Sequence, residues 1–364
     1  MNLPTLKQTV KTLGAMTWMT LGLLAAQPTL ACTRVVYHGD NGLVITGRSM
    51  DWRDPIDASL WIMPQGLAHD GGAGANSVQW RSRFGSVVTS SFGFSTVDGM
   101  NEKGLVANML WLAGTKYAEA EQSTRLLSVS AWVQYFLDNF ATVEEAVSAM
   151  QREPITVVSA NIPGTDRFAT LHLSVSDAKG DSAIFEYIDG KLVIHHGRQY
   201  QVMTNDPTYD EQLAIEQYWE SVGGTSFLPG SNRAADRFAR AHFYINAIPK
   251  TADAALGDAQ VRSVMNNVSV PMGITTPGQP NISSTRWRTL ANQTSLRYYF
   301  EDVRTPNAFW VDLKEVDFKQ GAPVQRLRLE AHEIYVGNAL KNFKPSKPLK
   351  FLTLDEAKNA MPAQ

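Results

Sequence analysis

The sequence predicts an α+β fold, with sheets sandwiched between helix layers in one domain. Blocks of β-branched-rich runs flank blocks with helical spacing, and no repeat, low-complexity tract or long linker divides them. The chain has 364 residues, 44% of them hydrophobic, enough to bury one large core. Cys32 is the single cysteine, so an internal disulfide framework is excluded and stability has to come from that core.

Residues 1–31 read as a cleaved secretory signal. Lys7 and Lys11 open it, residues 13–26 form a short apolar run, Gln27 and Pro28 break the run, and Ala31 precedes the cut at Cys32. The run is too short for a good membrane span, which needs roughly 20 apolar residues. An uncleaved anchor is one alternative. A lipoprotein signal is another, although Thr29 stands where such signals usually place leucine. Residues 32–364 form the expected single domain.

Residues 33–37 and 43–46 flank His38-Gly39-Asp40-Asn41-Gly42, a hairpin signal. Residues 60–63 and 86–90 read as further strands. The Gly-rich stretch 66–75 lacks the Gly-Lys-Ser/Thr ending of a phosphate loop and is expected to be a flexible surface or rim loop. Val129, Trp132, Val133, Phe136, Leu137 and Phe140 predict a helix over 124–140, and Thr142 with Glu145 marks the start of the next. Their aromatic residues read as core. Strands follow at 170–175, 183–187 and 192–195, the last two joined by the turn Asp189-Gly190. Helices are expected over 210–221, 234–246 and 252–266, and strands over 287–290, 296–300 and 308–313.

The formal net charge of −2 becomes −4 without Lys7 and Lys11, and no basic patch or charge run appears, so nucleic acid is not an expected partner. No metal or other cofactor is expected. The seven histidines are scattered, His332-Glu333 has no second histidine at zinc-site spacing, and His195 and His196 in a strand face opposite ways. No serine sits in a Gly-x-Ser-x-Gly elbow. Glycosylation triplets begin at Asn267, Asn281 and Asn292, and nothing else argues for that modification.

Cys32 carries the chemistry. As the first residue of a processed chain it holds a thiol nucleophile and, in its α-amine, a base. The amine has a pKa of roughly 7.7–8.0, so it is substantially neutral near neutral pH. It can take the thiol proton, as N-terminal amines do for threonine nucleophiles. A hairpin return brings Arg48 and Asp51 back beside Cys32. There a cation favours thiolate and a carboxylate can hold the amine. An exposed ion pair is the other reading of Arg48 and Asp51.

Cys32-Thr33-Arg34 followed by Gly47-Arg48-Ser49-Met50-Asp51-Trp52 resembles the opening of the choloylglycine hydrolases and penicillin V acylases, which are N-terminal-nucleophile hydrolases. The similarity continues in order at residues 98–105, 180–191, 203–207 and 236–241. This resemblance implies a four-layer αββα sandwich and an exported linear amide hydrolase working through a thioester on Cys32. It implies Arg48 and Asp51 as close partners of the cysteine. It further implies Asn205 as an oxyanion donor, with a backbone N–H near Trp111, and Arg237 as support for the charged site. The secretory signal, and Trp111 where bile-salt enzymes usually place asparagine, resemble the Gram-negative branch, associated with penicillin V and N-acyl homoserine lactones. The expected partner is therefore a small amide with an apolar acyl group. Trp52, Trp111 and Leu112 would bind that group, and Arg237 would help to read the leaving side. The expected location is the periplasm or the exterior, free of the membrane after signal cleavage, with a homo-oligomer left open. A conjugated bile-salt hydrolase and a lipid-anchored periplasmic binding protein are the alternatives.

Overall fold

The computed structural model describes residues 32–120, 123–223, 226–275, 283–329 and 333–359. The signal segment 1–31, the Asn281 triplet and His332 lie outside them. The first of two large sheets has seven strands in the spatial order β14 (Val202–Met203), β1 (Thr33–His38), β2 (Val44–Trp52), β15 (Ser284–Asn292), β16 (Arg297–Asp302), β17 (Phe309–Asp312) and β19 (Gly337–Asn338). The second has nine, in the order β13 (Lys191–His196), β12 (Ser182–Ile188), β11 (Leu171–Ser176), β8 (Val106–Trp111), β7 (Ser95–Asn101), β6 (Ser86–Ser91), β3 (Ala58–Met63), β18 (Gln325–Arg328) and β20 (Lys344–Pro345). All neighbouring pairs are antiparallel except β17 with β19.

The sheets face each other. Thr46 Oγ1 of β2 meets Ser176 Oγ of β11 at 2.8 Å, and the Tyr298 hydroxyl of β16 lies 2.8 Å from Thr89 Oγ1 of β6. Helices α3 (Tyr209–Ser221), α4 (Ala234–Ala247) and α5 (Ala254–Asn267) lie on the first-sheet side, α4 against β1 and β14, α5 against β2 and β15, and α3 against α4. Helices α1 (Trp132–Asn139) and α2 (Val143–Arg152) cover the second sheet. The result is the four-layer αββα sandwich, with the apolar core running between the layers. Close helix packing on β2 depends on Gly47, where a Cβ would stand 2.8 Å from Met265 Cγ of α5.

Two expectations need correction. Residues 66–75 are not a loose loop. Strand β4 (Ala68–Asp70) pairs with β5 (Gln79–Arg81), Ala73 is buried, and the Gly71 carbonyl accepts from Ser128 N at 2.7 Å. The stretch 124–140 is a helix only from Trp132. Its first part is β9 (Leu126–Ser128), parallel to β10 (Thr156–Val158), and one turn of 3₁₀ helix connects it to α1. At Asp189 and Gly190, φ values of 47° and 77° give the paired left-handed residues a two-residue hairpin turn requires. Asn292 is fully buried and bonded to Asp258, which removes that glycosylation triplet from the surface.

Candidate active site

Cys32 stands one residue before β1, next to the Thr33↔Ser49 register pair. Strand side chains alternate between faces, so Thr46, Arg48, Met50 and Trp52 share the face of β2 turned toward the second sheet. The Cys32 Sγ therefore lies 3.9 Å from Met50 Sδ, 3.9 Å from Arg48 Nη2 and 3.8 Å from the Asp51 carbonyl oxygen.

Arg48 is fully buried. Its Nη2 donates to the Met109 carbonyl at 3.2 Å, its Nη1 lies 3.9 Å from Asp98 Oδ2, and the guanidinium sits 4.4 Å over the Trp287 ring. Its Nε and Nη1 have no hydrogen-bond partner among the described residues. Burial nevertheless pushes the Cys32 thiol up, and Arg48, which pulls the other way, does not overcome it.

The Asp51 carboxylate, expected to hold the amine of a processed Cys32, is bound by other groups in this unprocessed chain. Thr285 Oγ1 donates to its Oδ1 at 2.6 Å, Ser49 Oγ lies 3.4 Å from its Oδ2, and Arg237 Nη1 lies 3.8 Å away. Its contact with the sulfur is through its carbonyl oxygen. Burial pushes Asp51 up to about 6, against Arg237, Thr285 and Arg48, which favour the charged form. The Cys32 N–H, here a peptide nitrogen following Ala31, donates instead to Asn205 Oδ1.

Asn205, in the loop between β14 and α3, is engaged at both ends of its amide. Its Oδ1 also accepts from Arg237 Nη2 at 2.9 Å, and its Nδ2 donates to the Trp111 carbonyl at 2.7 Å. Arg237 projects from α4 and is fully buried. It donates to the Cys32 carbonyl at 2.6 Å, to Thr33 Oγ1 and, through Nε, to the Asn232 carbonyl at 3.1 Å. It lies against the Cys32 backbone and is not among the residues that line the pocket.

In front of the thiol opens a pocket of about 770 Å³, counting its open mouth. Its walls are apolar and aromatic. Trp52 meets Trp111 edge-on with ring centroids 5.8 Å apart and Phe92 at 5.7 Å. Strands β7 and β8 are paired from Met100↔Val106 as far as Asp98↔Asn108, and past that register Val97, Met109 and Trp111 line the opening. Leu112 does not line it. It falls on the alternate side from Trp111, fully buried, with its N–H bonded to the Thr170 carbonyl at 3.0 Å. Sequence reasoning missed Met50, Phe92 and the segments 160–163 and 352–354. Met50 follows from the alternation that placed Arg48, whereas the two segments arrive by long-range packing that no local pattern announces. Two groups could hold a metal ion by ligand spacing, Glu144–Asp181–His196 and Glu216–Glu220–His242, each within 4.8 Å. Neither lines this pocket.

Residues 32–326 match the family model of linear amide C–N hydrolases, choloylglycine hydrolase family. A penicillin V acylase of Pectobacterium atrosepticum is 48% identical over 355 residues, covering 91% of this chain and 94% of that protein. A bile salt hydrolase/transferase of Bifidobacterium longum is 23% identical over 301 residues, covering 76% and 93%. Among solved structures, a penicillin V acylase from Agrobacterium tumefaciens superposes with a TM-score of 0.82 at 54% identity, covering 89% of this chain and 100% of that one. A conjugated bile acid hydrolase from Clostridium perfringens shares the fold, with a TM-score of 0.69 at 23% identity over 82% and 97%. The chain belongs to the choloylglycine hydrolase family and is a linear amide C–N hydrolase.

Proposed function

We propose that this protein is an exported acylase that cleaves penicillin V, N-acyl homoserine lactones or both through a thioester on Cys32, after removal of residues 1–31. The observation that carries this reading is the placement of one buried thiol at the floor of an apolar, aromatic-walled pocket, with Arg48 beside it and Asn205 and Arg237 behind it. Cleavage before Cys32 would turn the nitrogen that now faces Asn205 into a free amine. That amine takes the thiol proton, Cys32 Sγ attacks the amide carbonyl, and the proton passes to the departing amine. Water then attacks the thioester, which releases the acid and restores the thiol. In this reading the Asn205 side-chain amide donates to the oxyanion, and such fixed donors lower the barrier by several kcal/mol.

Lipid attachment at Cys32 fits poorly, because the residue is buried and leads directly into β1. The aryl and acyl groups of penicillin V and acyl homoserine lactones suit the Trp52, Trp111 and Phe92 walls. The similarity to penicillin V acylases at about half identity supports the same choice. A panel of penicillin V, acyl homoserine lactones and glycine-conjugated bile acids tests it. Greater kcat/KM on the bile acids than on the other two would overturn the substrate assignment.

A further inference from the structure

The pocket in front of Cys32 is closed partly by chain that lies beyond the family match at residues 32–326. Leu352, Thr353, Leu354 and Ala357 all line it, the last two on the short helix α6 (Leu354–Asn359). This segment is pinned in place. The Leu352 carbonyl accepts from Ser128 Oγ at 2.9 Å and from Ser130 Oγ at 3.0 Å, both serines being pocket-lining as well. Leu352 N donates to the Phe94 carbonyl at 3.3 Å and Leu354 N to the Gly72 carbonyl at 2.9 Å. Upstream, Leu349 and Phe351 are buried, and the Phe351 ring packs 5.6 Å from that of His69. Thr353 and Glu356 cap the helix reciprocally, each backbone N–H bonded to the other's side chain at 3.1 Å.

We propose that residues 352–357 form the wall that sets the acyl-group size this enzyme accepts, with Leu354 and Ala357 as the specificity-determining side chains. The inference rests on the acylase reading of the Cys32 site. An apolar wall cannot recognise a polar leaving group, but it can exclude or admit methylenes. Ala357 is the small residue at this wall, so its size leaves room that a larger side chain would fill.

The test uses the processed enzyme and a series of straight-chain N-acyl amides of one amine, from butanoyl to dodecanoyl. Ala357→Phe is expected to lower kcat/KM for the long members by about tenfold or more relative to the short ones, the scale on which apolar pockets discriminate. Leu354→Ala, which removes volume and does not depend on an added ring being accommodated, is expected to shift the optimum toward longer chains. Both variants should keep the wild-type far-UV circular dichroism spectrum, which separates a changed wall from a misfolded chain. Turnover by the wild type with an unchanged chain-length profile in Leu354→Ala overturns the wall alone. No turnover of any member by the wild type overturns the acylase reading and the wall together.

Discussion

At the residue scale, the site turns on a thiol whose surroundings oppose its ionisation. Burial raises Cys32, and Arg48 at 3.9 Å only partly offsets this. In the proposed mechanism the base is the α-amine that cleavage before Cys32 would free on the same residue. Cys32→Ala should fold and lose activity by roughly 10³-fold or more; Cys32→Ser should retain a trace, a hydroxyl being harder to deprotonate. Alkylation should inactivate the wild type, and inactivation by a chelator with recovery on adding zinc would point to another site. Trp111 forms a pocket wall, and Trp111→Ala should cost about 1–3 kcal/mol in kcat/KM for phenoxyacetyl and long-acyl amides and less for short ones. An equal loss at all acyl lengths would remove its pocket role. Cys32 was legible because no other cysteine competes with it, and Arg48 because the hairpin return dictates where it lies. The same logic failed for Leu112, since one step along a strand moves a side chain to the other face.

At the scale of elements, α4 packs its apolar face on β1 and β14, and one of its side chains adds a polar clamp. Arg237 joins the start of β1, the Asn205 loop and the Asp51 carboxylate of β2. Arg237→Met would take the donor from the buried Cys32 carbonyl and leave the Asp51 carboxylate with Thr285 and Ser49 but without its buried cation. The expected loss is about 3–5 kcal/mol of stability, the usual penalty for removing one partner of a buried ion pair. Chemical denaturation checks this, and an unchanged midpoint would mean the clamp does not hold the fold. The longer elements were readable. Helices α3, α4 and α5 begin and end within two residues of expectation. The failures are short elements. Leu126 and Leu127 fit a strand or a helix equally, because a brief apolar run has no resolvable period. The β4–β5 and β18–β20 pairs involve strands of two to four residues, too short for alternation to show in the sequence.

For the whole molecule, a buried carboxylate that joins two strands and a helix contributes to the acid limb of stability. Glu186 on β12 lies 2.9 Å from His172 Nδ1 of β11 and accepts the Tyr209 N–H at the start of α3 at 3.0 Å. Burial alone would raise its pKa, but the hydrogen bonds to His172, His195 and Tyr209 hold it down to about 2. The unfolded value is about 4.3, so the unfolded chain binds more protons between the two. The stabilisation is complete above about pH 4.3 and is lost as pH falls toward 2. It amounts to an order of 3 kcal/mol. Glu186→Gln should flatten this acid limb in denaturation curves measured across that window; an equally steep limb would place the sensitivity elsewhere. The four-layer architecture concentrates its consequences at one point, Cys32 at the entry to β1, where helix, sheet and pocket meet. Mass spectrometry of the protein, acid-quenched during turnover of penicillin V, tests that convergence most directly. The expected result is an N-terminal peptide that begins at Cys32 and carries one phenoxyacetyl group. Full turnover by a chain that still bears residues 1–31, or an acyl group on any other residue, would contradict it.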